Sequence, residues 1–475
     1  MIAPARRAAT DVLVDVDAGR WDLASALAQA HASLQDARDR ALLTDLATGV
    51  ERWKLALDFG IHALTRRQPA DLDPDVRATL RLGLYQLQHA TRIPASAVVN
   101  DAVEIVKRGP TRSAAGMVNA VLRRVVREGP PQLPEAPRVP VENPRWRGQA
   151  LAWLAITHSH PAWLVERWLD RFGFEATEAW ARYDNTPAEV TVWAVGAGPA
   201  AGVGNRDWAV DSRSSALGSG PREAGRETTV AGPNGTPTRF VPGGLTLASG
   251  RDALPLLRDG SAYAQDEASA AVGVVAGIVG RGRVLDACAS PGGKSLAMRR
   301  WLPGDARQVA NDMRERRVAL LAATLGRVPA PRIAIVRSDA TCLPFGHAID
   351  TLLIDAPCSG LGTLRREPDV RWRRTAADLP RFAAAQRALI DEGLRALSPG
   401  GRLIYATCSS EPEENESLVT ALLQTRPDLQ RLDLRQQPLP ATMRPLLTDE
   451  GALRTWPHVH GLDAFYAVVL THAST

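Results

Sequence analysis

The chain has 475 residues, with 57 Lys plus Arg against 52 Asp plus Glu and a formal net charge of +5. This length predicts two to four domains with ample core, and the excess of basic residues permits a polyanionic partner without requiring one. The sequence has no long uncharged apolar run and no signal-peptide h-region, so a membrane span and a secretion signal are excluded and a cytoplasmic location is expected.

The cysteines and lysines are few. The four cysteines are Cys288, Cys342, Cys358 and Cys408, and no C-x-x-C pair is present. Reduced thiols in an intracellular enzyme are therefore expected, rather than a disulfide framework or a metal site. Lysine occurs three times, so nearly all the basic residues are arginine. Arginine suits phosphate recognition, although a genome biased toward arginine codons would give the same composition.

The first 130 residues show apolar residues at helical spacing, broken at Gln68-Pro69, Ile93-Pro94 and Gly109-Pro110. This pattern predicts an all-α domain of five or more helices over residues 1–130. Several basic pairs in the block could line an RNA-binding face, although solvated helix surface is the default explanation for any single pair. These pairs are Arg6-Arg7, Arg66-Arg67, Lys107-Arg108 and Arg123-Arg124.

The middle of the chain changes in composition. Residues 131–146 are rich in proline and lack an apolar period, so they are expected to form a linker. Residues 147–250 are expected to be an intermediate α+β region, with a strand at 189–195 and a flexible loop at about 196–238 that is rich in Gly, Ser and Pro. His158 and His160 do not lie on one helix face, and no carboxylate is spaced so that it could bind a metal with them. No metal site is therefore predicted.

Residues 251–475 alternate between helical and strand patterns. Helices are predicted at 265–279, 313–326 and 376–398, and strands at 308–312, 333–336, 351–355 and 402–406, after an opening strand that ends at Asp286. Alternation of this kind predicts a parallel sheet with helices on both faces. Ligands bind such sheets beyond the carboxyl ends of the strands.

Polar residues follow the predicted strands at those ends. The first strand leads into A-C-A-S-P-G-G-K, where glycine lets backbone N–H groups approach a ligand before a helix begins. Asp312 follows the second strand and can accept two hydrogen bonds from a ribose diol. Because the loop lacks the dinucleotide and P-loop spacings, S-adenosylmethionine is favoured over NAD, with Asp339 near the adenine.

Two cysteines follow the fourth and fifth strands, Cys358 in D-A-P-C-S-G and Cys408 in A-T-C-S-S. Carbon 5 of cytosine is a weak nucleophile, and a thiolate that adds at carbon 6 activates it. Asp355 and Lys294 are expected to assist near the ring. Small buried cysteines are the alternative explanation, and the residues alone do not choose between the two thiols as nucleophile.

Three stretches resemble the core motifs of the RNA 5-methylcytosine methyltransferases: D-A-C-A-S-P-G-G-K-S (286–295), D-A-P-C-S-G-L-G-T-L-R-R-E-P-D (355–369) and Y-A-T-C-S-S-E-P-E-E-N-E (405–416). The N-terminal block is similar to the NusB-like RNA-binding domain, on the stretches 6–15, 82–88, 93–105 and 118–124. With both parts in one chain, the sequence resembles the RsmB (Sun/Fmu) family, which methylates a cytosine of bacterial 16S rRNA.

This resemblance implies an α/β Rossmann-like S-adenosylmethionine methyltransferase domain over 251–475, preceded by the all-α NusB-like domain. It implies Cys408 as the nucleophile, Cys358 in product release, and Asp355 and Lys294 as further catalytic residues. The Cys288 side chain is expected to pack in the core, while its backbone contacts the cofactor. The S-adenosylmethionine site implied by the family comprises Cys288, Ala289, Ser290, Pro291, Gly292, Gly293, Lys294, Asp312, Asp339 and Asp355.

The expected partner is 16S rRNA or a small-subunit assembly intermediate, with no membrane, no metal and a monomeric protein. The same chemistry on tRNA or another RNA is a second reading. A non-catalytic RNA-binding or antitermination factor is a third, and the intact Lys294, Asp355, Cys358 and Cys408 argue against it. The V-T-V-W-A-V strand near residue 190 and the following loop depart from the family pattern.

Overall fold

A computed structural model describes residues 2–90, 92–137, 144–195, 235–248, 250–327 and 333–472. The chain divides into two compact units. We call the first the helical unit; it comprises Met1–Pro187 and Thr363–Ala376. We call the second the sheet unit; it comprises Ala188–Gly362 and Ala377–Thr475.

The helical unit begins with amphipathic helices, several of which start with a proline in the first turn or an aspartate at the N-cap. Pro4 and Pro74 occupy first-turn positions, and the Asp22 and Asp36 carboxylates accept backbone N–H groups at the starts of two others. The apolar faces pack into one core around Leu13, which confirms the predicted all-α fold of this block. The helices are α1 (Pro4–Asp17), α2 (Leu23–Ser33), α3 (Ala37–Thr65), α4 (Pro74–His89), α5 (Ala95–Arg108) and α6 (Ala115–Glu128).

Two further helices, α7 (Pro144–Thr157) and α8 (Ala162–Asn185), belong to the same compact unit. Of the region predicted over residues 147–250, the described residues up to Pro187 group with the helical unit and those from Ala188 with the sheet unit. The reason is packing: the Ser159 hydroxyl accepts the Leu55 N–H (2.9 Å), and Leu55 of α3 joins the apolar cluster of α7 and α8. Residues 131–137 of the predicted linker lack regular structure, and residues 138–143 lie outside the described ranges.

The segment Thr363–Ala376 also packs within the helical unit, although it lies between two strands of the sheet unit in sequence. Its short helix α13 (Val370–Arg373) carries Arg371, which is fully buried. The Arg371 guanidinium donates to the Ser159 carbonyl (3.0 Å) and the Asn185 amide oxygen (3.1 Å). Burial lowers the pKa of Arg371 to about 10, so this cation remains charged at neutral pH.

The sheet unit contains a small antiparallel sheet of order β2-β3-β1-β4. Its β1 (Val190–Ala194) matches the strand predicted at 189–195. The predicted loop at 196–238 falls mostly on residues 196–234, which lie outside the described ranges, while residues 235–237 form a strand. The other elements are β2 (Gly235–Pro237), β3 (Gly244–Leu247), α9 (Gly250–Arg258) and β4 (Ala262–Ala264).

The main sheet confirms the predicted α/β fold and corrects its topology. Five strands are parallel, as expected, but three C-terminal strands are antiparallel to their neighbours. The order is β10-β12-β9-β8-β5-β6-β7, with β11 paired to β12. Its strands are β5 (Arg283–Asp286), β6 (Arg307–Asn311), β7 (Ile333–Val336), β8 (Ile349–Asp355), β9 (Leu397–Thr407), β10 (Leu429–Leu432), β11 (Leu453–Arg454) and β12 (Tyr466–His472).

Helices cover both faces of the sheet, so its central strands are buried on both sides, as parallel sheets require. Two apolar cores result, one around Val284 and Ile404 and the other around Leu285 and Leu403. These neighbouring residues point to opposite faces because strand side chains alternate. The helices are α10 (Glu267–Val279), α11 (Gly293–Trp301), α12 (Glu315–Gly326), α14 (Leu379–Ala396), α15 (Glu416–Thr425) and α16 (Pro457–His460).

The described part of the chain contains no helix both long and apolar enough to cross a bilayer. Within the same residues, His, Cys, Asp and Glu side chains do not gather in threes at a spacing that could hold a metal ion. The His160 ring is instead buried within the helical unit, where it faces the His158 carbonyl (2.6 Å) and the Asp184 carboxylate (3.3 Å).

Candidate active site

The loop between β5 and α11 exposes backbone at the carboxyl edge of the sheet. Gly292 has a φ of 114°, and a Cβ there would lie 3.1 Å from the Leu321 side chain. A Cβ on Gly293 would lie 3.1 Å from the side chain of Gln265. Both positions therefore favour glycine, one for backbone conformation and the other for space. Most residues of the loop are buried, and Pro291 is exposed at its surface.

The strand before this loop ends in Asp286, which is fully buried and accepts a hydrogen bond from the Ser295 hydroxyl (2.6 Å). Burial raises the pKa of Asp286 to about 7, and the Asp355 carboxylate adds to this shift. The hydrogen bond ties the end of β5 to the first turn of α11. Asp286 thus fixes the two ends of the loop relative to each other.

A cavity of about 350 Å³ opens beside the loop. Six of the ten predicted cofactor positions line it, while Cys288, Gly292, Asp312 and Asp339 do not. A nucleoside with a cationic centre fits this chemistry, because the cavity joins open backbone, small apolar side chains and a carboxylate. The lining residues are Leu257, Ala262, Tyr263, Ala264, Gln265, Ser269, Ala289, Ser290, Pro291, Gly293, Lys294, Thr324, Arg327 and Asp355.

Lys294 and Asp355 meet at the point between β5 and β8 where the strand order of the sheet reverses. The strands that follow β5 are added on one side of this point, and the strand that follows β8 is added on the other. The Lys294 ammonium lies 2.7 Å from the Asp355 carboxylate. Burial lowers the pKa of Lys294, but the Asp355 carboxylate outweighs burial and raises it above its ordinary value. The ammonium also lies 5.1 Å from the centre of the Phe465 ring. Lys294 is therefore a fixed, protonated cation at the cavity wall.

The two cysteines at the ends of β8 and β9 are adjacent. The Sγ atoms of Cys358 and Cys408 are 3.0 Å apart, and both thiols are free. The hydrogen bond to Cys408, together with burial, raises the pKa of Cys358 well above its ordinary value. Cys358 consequently holds its proton at neutral pH and can donate it toward the Cys408 sulfur.

A buried carboxylate holds the two cysteine loops together. Glu414 accepts from the Ser359 N–H (2.8 Å) and hydroxyl (2.5 Å) and from the Ser409 hydroxyl (2.5 Å). The amide of Gln386 on α14 also donates to Glu414 (2.8 Å). Because Ser359 follows Cys358 and Ser409 follows Cys408, these hydrogen bonds fix the separation of the two thiols.

Comparison with known proteins identifies the family. A model described as 16S rRNA methyltransferase RsmB/F matches residues 279–471, and the NusB family matches residues 3–127. The ribosomal RNA small subunit methyltransferase B of Pseudomonas putida is 33% identical over 470 residues, which cover 97% of each chain. The chain belongs to the RsmB/F family. This confirms the predicted resemblance and the S-adenosylmethionine-dependent methyltransferase domain behind a NusB-like domain.

Other relatives agree. The probable ribosomal RNA small subunit methyltransferase B of Bacillus subtilis is 30% identical and covers 90% of each chain. The crystal structure of PH0851 superposes with a TM-score of 0.73 at 22% identity over 99% of each chain. A methyltransferase homolog from Pyrococcus horikoshii gives 0.51 at 22% identity over 68% of this chain and 99% of its own. These structures support the fold of an RsmB/F chain.

Two acids of this RsmB/F chain stand apart from the cavity. Asp312 at the end of β6 is buried and forms an ion pair with Arg317 (3.1 Å), whose guanidinium also donates to the Ser290 carbonyl (2.8 Å). Asp339 is exposed and accepts the Thr341 N–H (2.8 Å), which lowers its pKa. The roles of Asp312 at a ribose and Asp339 near an adenine stay predictions.

Cys288 packs against the apolar core on one face of the sheet, and burial raises its thiol pKa. The Cys288 thiol therefore keeps its proton at neutral pH. The role of its backbone at the cofactor stays a prediction.

Several functional neighbours escaped the sequence analysis. Gln265 lies beside the glycine loop, and in the amide orientation that pairs donors with acceptors it donates to the Gly293 carbonyl (3.0 Å) and accepts the Lys294 N–H (3.2 Å). Glu414 lay inside the quoted E-P-E-E-N-E motif but carried no individual signal. Phe465 lies just before β12, in the C-terminal segment that the predicted strands do not cover.

Proposed function

We propose that this chain methylates carbon 5 of a cytosine in bacterial 16S rRNA, with S-adenosylmethionine as donor and Cys408 as nucleophile. The observation that carries the proposal is the pair of thiols 3.0 Å apart, one after β8, which ends in Asp355, and the other after the neighbouring β9. Two adjacent thiols suit a reaction in which one sulfur must both attack and leave. The family membership supports rRNA as the substrate class.

Cys408 is proposed to act first. Its thiolate forms a bond from sulfur to carbon 6 of the cytosine, and the ring electrons shift toward carbon 5 and nitrogen 3. The target base must be unpaired or flipped out of a helix before this attack, which costs a few kcal/mol. Lys294 holds a proton next to Asp355, and this pair can stabilise the charge that builds at nitrogen 3.

When bound, S-adenosylmethionine supplies the methyl group as an electrophile. The loop from Ala289 to Gly293 and Asp355, most of which line the cavity, are proposed to hold it against the activated carbon 5, with Asp312 at its ribose and Asp339 near its adenine. After transfer, the proton on carbon 5 leaves to a base, its electron pair re-forms the ring double bond, and the carbon–sulfur bond breaks. The Cys358 S–H can donate to the departing Cys408 sulfur, which explains a role in product release.

The same chemistry on tRNA or another RNA is the second candidate, and the NusB-like domain favours rRNA over it. A monomeric enzyme without a metal remains our expectation. Bisulfite mapping of rRNA and tRNA from cells with and without the gene tests substrate and reaction together. Loss of one 5-methylcytosine from 16S rRNA in cells without the gene would support the proposal. An unchanged set of 5-methylcytosines in rRNA and tRNA would contradict it.

Variants of the two thiols test the assignment of nucleophile. Cys358→Ala should accumulate a covalent protein–RNA adduct, seen as a shifted band on a denaturing gel, because attack proceeds and release fails. Cys408→Ala should form no adduct at all. Cys342→Ala is the matched control, since this exposed cysteine lies outside the thiol pair. An adduct in Cys408→Ala and none in Cys358→Ala would exchange the two roles.

A further inference from the structure

The positive charge of the first 128 residues is unevenly distributed. Residues 1–103 carry twelve basic and thirteen acidic side chains. Residues 104–128 carry six basic side chains and two acidic ones, a net charge of +4. The whole positive excess of this block therefore falls on the end of α5, the turn after it, and α6.

The structure separates the basic pairs noted in the sequence. Arg6 is buried and forms an ion pair with Asp101 (2.5 Å), so it cannot contact a partner. Arg66 and Arg67 are exposed at the end of α3, where Arg66 forms the left-handed C-cap with a φ of 60°. Lys107 and Arg108 instead keep 56% and 61% of their side chains exposed. On the α5–α6 surface, exposed cations coincide with the net positive charge of residues 104–128.

That surface contains a groove of about 420 Å³ between α5 and α6. Its walls combine the cations of Lys107 and Arg123 with uncharged amides and with the Glu104 carboxylate, which lies 3.1 Å from the Lys107 ammonium, and its floor is small and apolar. The Arg123 guanidinium donates to the Asn119 amide oxygen (2.9 Å), which orients that amide along the wall. Arg112 is exposed in the turn next to the groove. The groove is lined by Asn100, Val103, Glu104, Lys107, Ala115, Gly116, Asn119 and Arg123.

We propose that this groove binds a single-stranded or looped stretch of the rRNA substrate. The proposal rests on the proposed function, which makes RNA the substrate, and it adds the surface that recognises it. Lys107, Arg112 and Arg123 supply cations for phosphates. Asn100 and Asn119 supply amides that can pair with base edges, which a purely electrostatic surface lacks. The small floor leaves room for an unstacked base.

Gly116 offers a test that leaves the charge unchanged. It lies in the first turn of α6, and a Cβ there would meet nothing within 4 Å. Gly116→Leu should therefore fill the groove without strain, and the fold should gain slightly from the better helix former. We expect the Kd of the full-length protein for in vitro transcribed 16S rRNA to rise about tenfold. The matched control is Gly148→Leu, since Gly148 is likewise an exposed helix glycine with open space.

A charge test is independent of the steric one. The triple variant Lys107→Ala, Arg112→Ala, Arg123→Ala should weaken binding and reduce the slope of log Kd against log salt by about 2, since three phosphate contacts on single strands are lost. Gly116→Leu should leave that slope unchanged. Arg7→Ala, Arg20→Ala, Arg38→Ala removes the same charge from exposed positions elsewhere in the unit, and it should leave affinity and slope near wild type.

The outcomes separate this inference from the proposed function. Normal rRNA affinity in Gly116→Leu and the groove triple would overturn the groove even if methylation is intact. Equal losses of rRNA affinity in the groove triple and in the control triple would overturn it too, because they would indicate a diffuse charge effect. Normal binding of naked rRNA with lost binding to small-subunit particles would assign the groove to a protein partner instead. Loss of affinity in the groove variants supports the inference even if no cytosine is methylated.

Discussion

At the scale of single residues, the candidate site depends on one carboxylate that touches neither thiol. Glu414 receives four hydrogen bonds, three of them from serines next to the cysteines. Charge-assisted hydrogen bonds are about twice as strong as neutral ones. The spacing of Cys358 and Cys408 is therefore a property of Glu414 as much as of the cysteines.

Glu414→Gln should disturb that spacing, because glutamine offers a single acceptor oxygen to a set of four donors. We expect adduct formation to slow about 10- to 100-fold, with the Kd for rRNA unchanged and about 1–3 kcal/mol of stability lost. Single-turnover kinetics and chemical denaturation measure the two effects. Glu450→Gln, at an exposed carboxylate, should behave as wild type. A change in Kd without a change in rate would contradict the positioning role.

Asp286 predicts a pH dependence of stability. Its folded pKa of about 7 lies above the ordinary value of 3.8. The stabilisation that this proton provides is fully present below pH 3.8 and is lost as pH rises through 7. Asp286→Asn keeps a neutral side chain at all pH values, and Ser295 can still donate to its oxygen.

The free energy of unfolding of Asp286→Asn, relative to wild type, should therefore rise by about 2 kcal/mol between pH 5 and pH 8. Urea denaturation at several pH values measures this difference. Asp305→Asn, at an exposed surface position, should show no such trend. A pH-independent difference between Asp286→Asn and wild type would refute the raised pKa.

At the scale of elements, the position of Lys294 depends on how two helices meet. Gly273 and Gly277 of α10 face α11, and a Cβ on Gly273 would lie 2.5 Å from the Ala297 Cβ. A Cβ on Gly277 would lie 2.6 Å from the Met298 carbonyl oxygen. The two glycines allow α11 to lie close against α10, and Lys294 stands in the first turn of α11.

Gly273→Ala and Gly277→Ala should each push α11 away from α10. Overpacking of this kind costs about 1–3 kcal/mol, which exceeds the helix propensity that alanine gains. Gly326→Ala is the control, because nothing lies within 4 Å of its Cβ position at the end of α12. We expect the control to be neutral or slightly stabilised in thermal denaturation. Equal behaviour of all three variants would show that the helices have room to adjust.

At the scale of the whole molecule, the segment after the Cys358 loop is built into the helical unit. Besides Arg371, the Trp372 indole donates to the Glu51 carbonyl (2.7 Å), and the Asp369 carboxylate accepts the Leu23 N–H (3.2 Å). The NusB-like block and α7–α8 thus share a fourteen-residue piece of the methyltransferase sequence. The helical unit as folded is therefore not a simple N-terminal module.

Arg371→Lys should weaken the helical unit, because an ammonium cannot reach the acceptors that the planar guanidinium spans. We expect a loss of about 2–4 kcal/mol, with faster amide hydrogen exchange in α3 and α8. Exchange in the strands of the main sheet should change less. Arg373→Lys is the matched control in the same helix, since its side chain is 39% exposed and pairs with Asp369. Unaltered exchange in α8 would contradict the role of Arg371.

The sequence by itself determined the parallel part of the sheet, the helical block and most of the candidate site. These features follow from local rules: apolar periodicity marks the elements, and polar residues at consecutive strand ends must meet at one edge. The predicted strand at 333–336 agrees with β7, and the cysteine motifs lie where the strand pattern put them. Family membership agrees with the motifs that carried the resemblance.

Only the tertiary structure decided what depends on long-range contacts. The antiparallel strands β10 and β11 are short and half polar, and no local signal sets the direction of the more apolar β12. The transfer of Thr363–Ala376 to the helical unit rests on buried hydrogen bonds across more than 200 residues of sequence, such as that from Arg371 to Ser159. The role of Glu414 likewise depends on long-range contacts, because its partners come from three separate segments, and local patterns therefore did not predict it. Sequence patterns report a residue's neighbours along the chain, whereas these roles arise from neighbours in space.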